Sequence, residues 1–430
     1  MADNKLYQDA DCKRLAQDFF KAALSAVVTD PSRFREVFSG GVKMMEGVLF
    51  DYNADLKRKE GELVKRCVKL LGAKLGNEKD ISDAAWKIVR ESIEGPNTSD
   101  DTGEIVKRFT ASLGEAASRK YQYLIPNHVI RLAPEIDNVA IGPVQIAASN
   151  WVEEYINAQR EGREIPIVHG NDFSVSVTGN PFELTLTPVC WLIEVEAAQS
   201  NVPEEALWLA HIATSLIRSS IEHPTGLHPR LGDAEGFPNI PHVVENKHLI
   251  LQGMGLWGAG GNAPKFYEIN NEVLNRLEDQ EFIRKTEKIF NPGQRSIGLR
   301  VAQGLGWLAR GRQSEDRAER FLYFFTAIEA LLSSGDKTAP VVQTIARHVA
   351  TIIAATVSDR HGIARTIKQL YATRSALVHT GARNVSNTDT TTIQFVAELL
   401  FQEVLEKVSL EQSREDFQGG LDKASYGENW

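Results

Sequence analysis

The stretch LYATRSALVHTG, residues 370–381, holds the arginine and the histidine that decide how the fold of this chain is interpreted. Five residues in and before this stretch are separated by four, three, four and three positions: Ile363, Ile367, Leu370, Arg374 and Leu377. That spacing predicts an α-helix with Arg374 on its apolar face. A guanidinium stays charged and is costly to bury alone, so Arg374 needs a carboxylate or a phosphate as its partner.

Glu329 is the carboxylate that the sequence offers for this pairing, because it flanks the apolar face of another predicted helix. One interpretation is therefore a buried Arg374–Glu329 ion pair with a purely structural role. His379 follows Arg374 by five residues, which is about 140° around an ideal helix. The two side chains meet only if the helix ends between them, and Gly381 is a natural residue for a helix C-terminus. We expect His379 to fold back beside Arg374.

Two other arginine–histidine pairs have similar spacing but a different context. Arg163 and His169 flank a predicted strand, and Arg218 and His223 come at the end of a predicted helix just before Pro224. Neither arginine lies on an apolar stripe that resembles the stripe around Arg374. We interpret both pairs as solvent-facing.

The composition is that of a soluble globular protein. The chain has 430 residues, enough for two or three domains, of which 42% are hydrophobic and 24% charged. Its net charge of −9 excludes a generally basic nucleic-acid coat. Three cysteines do not indicate a disulfide framework, and the N-terminus has no apolar signal core. We therefore expect a cytoplasmic protein that does not associate with a membrane.

Two further patterns do not indicate a cofactor or a metal. GMGLWG, residues 253–258, matches a dinucleotide-binding pattern, but the residues after it are predicted to be helical, so a flexible turn is the better interpretation. The histidines of the middle region fit no zinc-binding spacing: His211, His223, His228, His242 and His248. We expect no cofactor and no metal site.

The distribution of proline divides the chain into regions, because proline breaks helices. Residues 1–125 and 296–410 contain few prolines and are predicted to be helical, the second region as an antiparallel bundle of four helices. Residues 126–295 are predicted to form a mixed α+β region with a small sheet, and residues 411–430 a frayed polar tail. The predicted fold class is mainly α.

Apolar periodicity gives approximate bounds for the main elements. The predicted helices of the bundle lie at about 315–333, from 340 through 353, at 363–378 and at 391–408. Earlier helical patterns lie at 62–75 and 204–222. The predicted strands lie at 128–133, 139–148, 173–178 and 182–193, where β-branched residues are bounded by Gly, Pro and Asn.

Three segments of the last third resemble the HEPN family, and within it the Apea-like HEPN proteins of prokaryotic phage defence. They are RFLYFFTAIEALLSS (320–334), IARHVATII (345–353) and LYATRSALVHTG (370–381), together spanning about a quarter of the chain. The resemblance implies a helical bundle that forms homodimers or higher oligomers and acts as a metal-independent endoribonuclease. It also implies that Arg374 and His379 of two protomers form the catalytic site.

The resemblance assigns supporting roles to neighbouring residues and leaves one alternative open. Many family members have Asn, Asp or His directly after the arginine, where this chain has Ser375, whose hydroxyl can still bind a phosphate. Tyr371 belongs to the same motif, and Glu329 is the expected partner of Arg374. Some HEPN domains are inactive, so a dimerising adaptor or ligand sensor is the alternative function.

The residue types suit RNA cleavage, in which the 2′-hydroxyl attacks the neighbouring phosphate. The reaction requires that a proton be removed from the 2′-hydroxyl and that one be given to the leaving 5′-oxygen. An imidazole can accept or donate a proton near neutral pH, so His379 is the expected acid or base. Arg374 can hold two phosphate oxygens and stabilise the charge that develops on them. DNA lacks the 2′-hydroxyl and cannot react in this way. We expect the long N-terminal part to restrain the bundle until it binds a signal, such as a phage component.

Overall fold

The computed structural model describes residues 2–28, 41–45, 47–94, 101–127, 129–159, 167–169, 184–221, 267–314, 316–333, 341–354 and 356–427. The described chain is mainly α-helical with small β-sheets, which confirms the predicted fold class. It divides into two compact units, Met1–Tyr123 with Glu194–Ala206 and Leu124–Ile193 with Leu207–Trp430. The predicted boundary at 126 lies close to the start of the second unit, whereas the predicted boundary at 296 falls inside that unit.

The elements up to Pro126 are mostly helices. In chain order they are α1 (Ala2–Gln8), α2 (Ala10–Ser25), β1 (Val42–Met45), β2 (Val48–Asp51), α3 (Ala54–Leu71), α4 (Glu78–Glu94), α5 (Thr102–Ala117) and β3 (Lys120–Pro126). The helix predicted at 62–75 is the second half of α3, which ends at Gly72 with a φ of 84°. The apolar faces of these helices enclose a core of aromatic rings that meet edge to face, with Trp86 against Phe19 and Phe50.

The middle of the chain contains the remaining strands. They and their neighbours are β4 (Ile130–Leu132), β5 (Asn138–Ile141), β6 (Val144–Ala148), α6 (Ser149–Gln159), β7 (Ile167–His169), β8 (Leu184–Leu186), β9 (Val189–Glu196), α7 (Val202–Ser220) and β10 (Tyr267–Ile269). The four-stranded sheet has the order β3-β9-β6-β5. In the antiparallel pairs, Ile146 lies opposite Val139 on one side and Trp191 on the other. The strands predicted at 128–133, 139–148 and 182–193 are present in part, and the strand predicted at 173–178 lies outside the described residues.

The last third continues with helices. They are α8 (Asn271–Leu277), α9 (Gln280–Phe290), α10 (Ile297–Gln313), α11 (Arg317–Leu332), α12 (Val341–Ile353), α13 (Val357–Thr380), α14 (Asn387–Lys407) and α15 (Arg414–Ser425). Helices α11 to α14 correspond to the four predicted ones, although α13 begins six residues earlier than expected. Helix α10 was not predicted. No helix in the described ranges is long and apolar enough to span a membrane.

Helices α10 and α14 pack closely at a glycine. Gly304 of α10 lies against the Phe401 ring of α14, and a Cβ atom there would come within 2.0 Å of that ring, so the contact requires glycine.

The segment predicted to be a frayed tail is instead helix α15. Phe417, Leu421 and Ala424 form a buried stripe in it at steps of four and three residues. That short stripe among polar residues was overlooked in the sequence.

Candidate functional site

Helix α13 carries Arg374 and His379 and continues without a break through both. It ends at Gly381, whose φ of 69° is left-handed, so the predicted C-terminal glycine is confirmed. The expectation that His379 folds back beside Arg374 is wrong, because the left-handed position that ends the helix comes after the histidine. The two side chains are therefore about 140° apart around the axis and about 7.5 Å apart along it.

Arg374 is held by a carboxylate on the neighbouring helix. Its Nη2 donates to Oε2 of Glu329 on α11 at 3.1 Å, as the sequence predicted. The two side chains remain 24% and 21% exposed. Since this bond uses one of the five guanidinium N–H groups, Arg374 keeps donors for a second anion. The contact fixes the arginine without enclosing it.

Tyr371 lies one turn before Arg374 and lines the same contact. The guanidinium carbon of Arg374 is 5.5 Å from the centre of the tyrosine ring, and that ring meets Phe325 of α11 edge-on at 5.8 Å. Burial raises the pKa of the Tyr371 hydroxyl, and the neighbouring Glu329 carboxylate adds to the effect. The phenol therefore remains a neutral hydrogen-bond donor at physiological pH.

His379 lies on the open side of α13. Its side chain is exposed, and Ser375, one turn earlier, is half-buried. Ideal helix geometry places Ser375 and Val378 in the sector between the directions of Arg374 and His379. Val378 is 48% exposed. The C-terminal end of α13 thus presents an arginine, an apolar residue, a hydroxyl and a histidine over an arc of about 140°.

A basic cavity follows directly after the end of α13. It has a volume of about 460 Å³, and its lining includes Asp316, Arg317, Arg320 and Arg383. Asp316 caps α11 by accepting from the backbone N–H of two residues and also pairs with Arg383. Arg317 donates to the backbone oxygen of Val385 at 3.2 Å. The described lining thus has three arginines and one carboxylate, an excess of positive charge that favours anions.

This cavity was missed in the sequence. Its residues come from the start of α11 and from the segment after Gly381, which are more than sixty positions apart. The available signal was Arg383, a basic residue two positions beyond the helix-ending glycine. Only the tertiary contact with Asp316 shows that it belongs to the same end of the bundle.

Of the two arginine–histidine pairs that were predicted to face solvent, the structure tests only the position of Arg218. Arg218 is 12% exposed, so its solvent-facing interpretation is wrong. Its Nη2 donates to Glu398 of α14 at 2.9 Å, and its Nη1 donates to the Tyr267 hydroxyl at 2.7 Å. A long-range partner of this kind leaves no trace in local spacing. His223 and Arg163 lie outside the described residues, as does the side chain of His169.

Among the described residues, no three His, Cys, Asp or Glu side chains are grouped so that they could hold a metal ion. His211 is buried in α7, where burial, aided by Arg310, lowers its pKa to about 4. It is therefore a neutral core histidine. The other four histidines of the middle region and the GMGLWG stretch lie outside the described residues.

Comparison with known proteins found no protein-family model, no curated protein and no solved structure that matches this chain.

Proposed function

We propose that this protein is a metal-independent endoribonuclease of the HEPN type, with Arg374 and His379 as its catalytic residues. The observation that carries the proposal is the arrangement at the end of α13. An arginine fixed by Glu329 keeps donors available, and an exposed histidine follows one and a half turns later on the same helix. The adjoining cavity with three arginines supplies further positive charge for a phosphate backbone.

The chemistry assigns a role to each group. The imidazole of His379 takes the proton from the 2′-hydroxyl or returns one to the leaving 5′-oxygen. The Arg374 guanidinium binds the non-bridging phosphate oxygens and stabilises the charge that they gain as the 2′-oxygen attacks. Ser375 can donate to the same phosphate. The products are a 2′,3′-cyclic phosphate and a 5′-hydroxyl, with no metal ion needed.

A homodimer completes this site. Because Arg374 and His379 lie about 140° apart on one helix, one copy cannot direct both side chains at a phosphate from the same side. A second copy related by twofold symmetry brings its own histidine and arginine to the opposite faces of the RNA strand. Val378, exposed between the two, supplies an apolar contact for such an interface. Two histidines then serve as base and acid.

A ribonuclease that attacks cellular RNA has to be restrained. We propose that the N-terminal unit and the mixed region hold the two copies apart until a signal binds, such as a phage component during abortive infection in the cytoplasm. A small change in how the copies face each other is sufficient, because a displacement of reacting groups by about 1 Å can reduce a rate about 10²-fold.

The test is to incubate the purified full-length protein with total RNA in the presence of EDTA, beside the His379→Ala variant. Cleavage that survives EDTA, disappears in the variant and leaves cyclic phosphate or 3′-phosphate ends is the expected result. His223→Ala is the matched histidine control and should cleave as the wild type does. A requirement for a divalent metal, or full activity of His379→Ala, would refute the mechanism.

A second candidate function is a catalytically inactive HEPN-type protein that dimerises or senses a ligand. It is favoured by the Arg374–Glu329 bond, which pairs the arginine with a carboxylate of the protein itself. This alternative predicts a stable dimer and no cleavage under any condition. In that case His379→Ala should change neither dimerisation nor ligand binding.

A further inference from the structure

A second basic cavity lies between α12, α13 and the end of α15, away from the Arg374–Glu329 contact. Its volume is about 530 Å³, within the range of small-molecule sites, about 300–1,000 Å³. Its described lining includes Arg347, Arg360, His361, Lys368 and Tyr426, and no carboxylate is among the described lining residues. Beside the lining, Asp422 accepts from Nη2 of Arg347 at 2.5 Å. The described residues thus place three cations and one carboxylate at the cavity, an excess of positive charge.

Both arginines place a guanidinium on the wall of this cavity, and the Arg347 side chain is 42% exposed. Their Nε atoms are buried and have no hydrogen-bond partner among the described residues, so the donors that a ligand can reach are those of the terminal nitrogens. Arg360 is anchored through Nη1, which donates to the backbone oxygen of Ala424 at 2.7 Å. A carbonyl fixes the position of the guanidinium without neutralising it. Positioned, charged donors of this kind are suited to phosphate oxygens.

An aromatic ring stands at the rim of the same cavity. Tyr426 directly follows α15 and is 81% exposed, and the guanidinium carbon of Arg347 lies 6.0 Å from its ring centre. An exposed ring next to an arginine is a platform on which a nucleobase can stack. A simple anion would use the cations but would leave this ring without a role.

We propose that this cavity binds a nucleotide unit, with its phosphate on Arg347, Arg360 and Lys368 and its base on Tyr426. The unit can come from a free mononucleotide or from an RNA strand. Lys368 and His379 differ by only about 20° around α13 and by about 16 Å along it. A strand held in the cavity therefore has a direct path along one helix face to the proposed catalytic histidine, although nucleotide binding here does not depend on catalysis.

The test measures binding to the full-length protein by fluorescence anisotropy. The probe is a labelled, single-stranded 2′-O-methyl oligoribonucleotide, which cannot be cleaved because its 2′-oxygen is blocked. Competition with AMP and with inorganic phosphate is measured at an ionic strength of about 0.15 M, where charges outside the cavity are screened over about 8 Å. Saturable displacement by AMP shows that a free nucleotide is sufficient, and binding of the oligomer without such displacement shows that an RNA strand is required.

Three variants decide the result. Tyr426→Ala and Lys368→Glu should each weaken binding about tenfold or more, through lost stacking and lost phosphate attraction. Arg365→Glu is the matched control, since it reverses a charge on the exposed surface of the same helix outside the cavity, and should change the affinity by less than about threefold. Unchanged affinity in both cavity variants would overturn the proposal. Displacement by inorganic phosphate as effective as that by AMP would also overturn it, because the base would then play no part.

Discussion

Two arginine–carboxylate contacts in the larger unit differ in ways that suggest different roles. At the end of α7, Glu398 lies between Arg218 and Arg312, whose side chains are 12% and 5% exposed, and also accepts from Gln394 at 3.0 Å. At the end of α13, Arg374 has one carboxylate partner, and both side chains remain more than a fifth exposed. We call the first the closed contact, because its two arginines are at most 12% exposed, and the second the open contact. The Glu398 carboxylate of the closed contact is still 17% exposed and lies on the wall of a cavity of about 420 Å³.

The charge state of the closed contact follows from its surroundings. Burial alone would raise the pKa of Glu398, but Arg312 and Arg218 outweigh it and hold that pKa below its usual range. The carboxylate is therefore ionised and its lone pairs are occupied by three neighbours. A contact of this kind stabilises the packing of α7, α10 and α14. The open contact differs, because Arg374 has further N–H donors that a ligand can bind.

Removing the arginine of the open contact should have the largest effect on activity. Arg374→Ala should reduce RNA cleavage about 10²- to 10³-fold, the usual effect of deleting one donor to a developing oxyanion. Its effect on the free energy of unfolding should be only about 1 kcal/mol, because the ion pair is partly solvated. Cleavage rates and urea unfolding of the same preparation measure both quantities. Loss of stability with retained activity would reverse the roles assigned to the two contacts.

Breaking the closed contact should act on stability. Glu398→Ala leaves two buried guanidinium groups without their carboxylate and should cost about 3–5 kcal/mol of unfolding free energy. Glu403→Ala is the matched control on the same helix, because it removes only the exposed pair with Lys407 and should cost about 0.5 kcal/mol. Cleavage per folded molecule should be unchanged in both variants. A specific loss of activity in Glu398→Ala would place the closed contact in the mechanism.

The region around α7 should also show a pH-dependent stability. The pKa of His211 is lowered to about 4 by burial, so the unfolded chain takes up a proton at a higher pH than the folded one. The stabilising effect is therefore fully present above about pH 6.5 and is lost as the pH falls towards 4. Between pH 7 and pH 5 this corresponds to about 2 kcal/mol.

Urea unfolding at the two pH values measures this effect. His211→Phe, which keeps a buried ring but cannot be protonated, should lose less stability than the wild type over the same interval. An identical loss in both proteins would assign the acid sensitivity to other groups.

The sequence predicted most of the local helical pattern, apart from α10 and α15, and one contact between helices, the Arg374–Glu329 pair, but it missed the contacts of Arg218. Helical spacing identified the four bundle helices, the Arg374–Glu329 pair and the C-terminal role of Gly381, all of which the structure confirms. Burial of Arg218 against Glu398 was not predictable, because 180 residues separate them and neither lies in an unusual local pattern. The predicted fold-back of His379 was wrong for a simpler reason. Residues 375–378, SALV, continue the helix, which ends where Gly381 permits a left-handed backbone.

The smallest effect that we predict concerns how Glu329 acts on Arg374. Glu329→Gln keeps an acceptor of the same length but removes the charge, so the guanidinium is held less firmly and cleavage should fall about tenfold, or about 1.4 kcal/mol of transition-state stabilisation. In a double-mutant cycle, Glu329→Gln should have no further effect once Arg374 is alanine, because a positioning residue acts only through its partner. Additive losses would show that Glu329 contacts the substrate or holds the fold by another route. An increase in activity would show that the carboxylate competes with RNA for the arginine, and the open contact would then be a restraint on the enzyme.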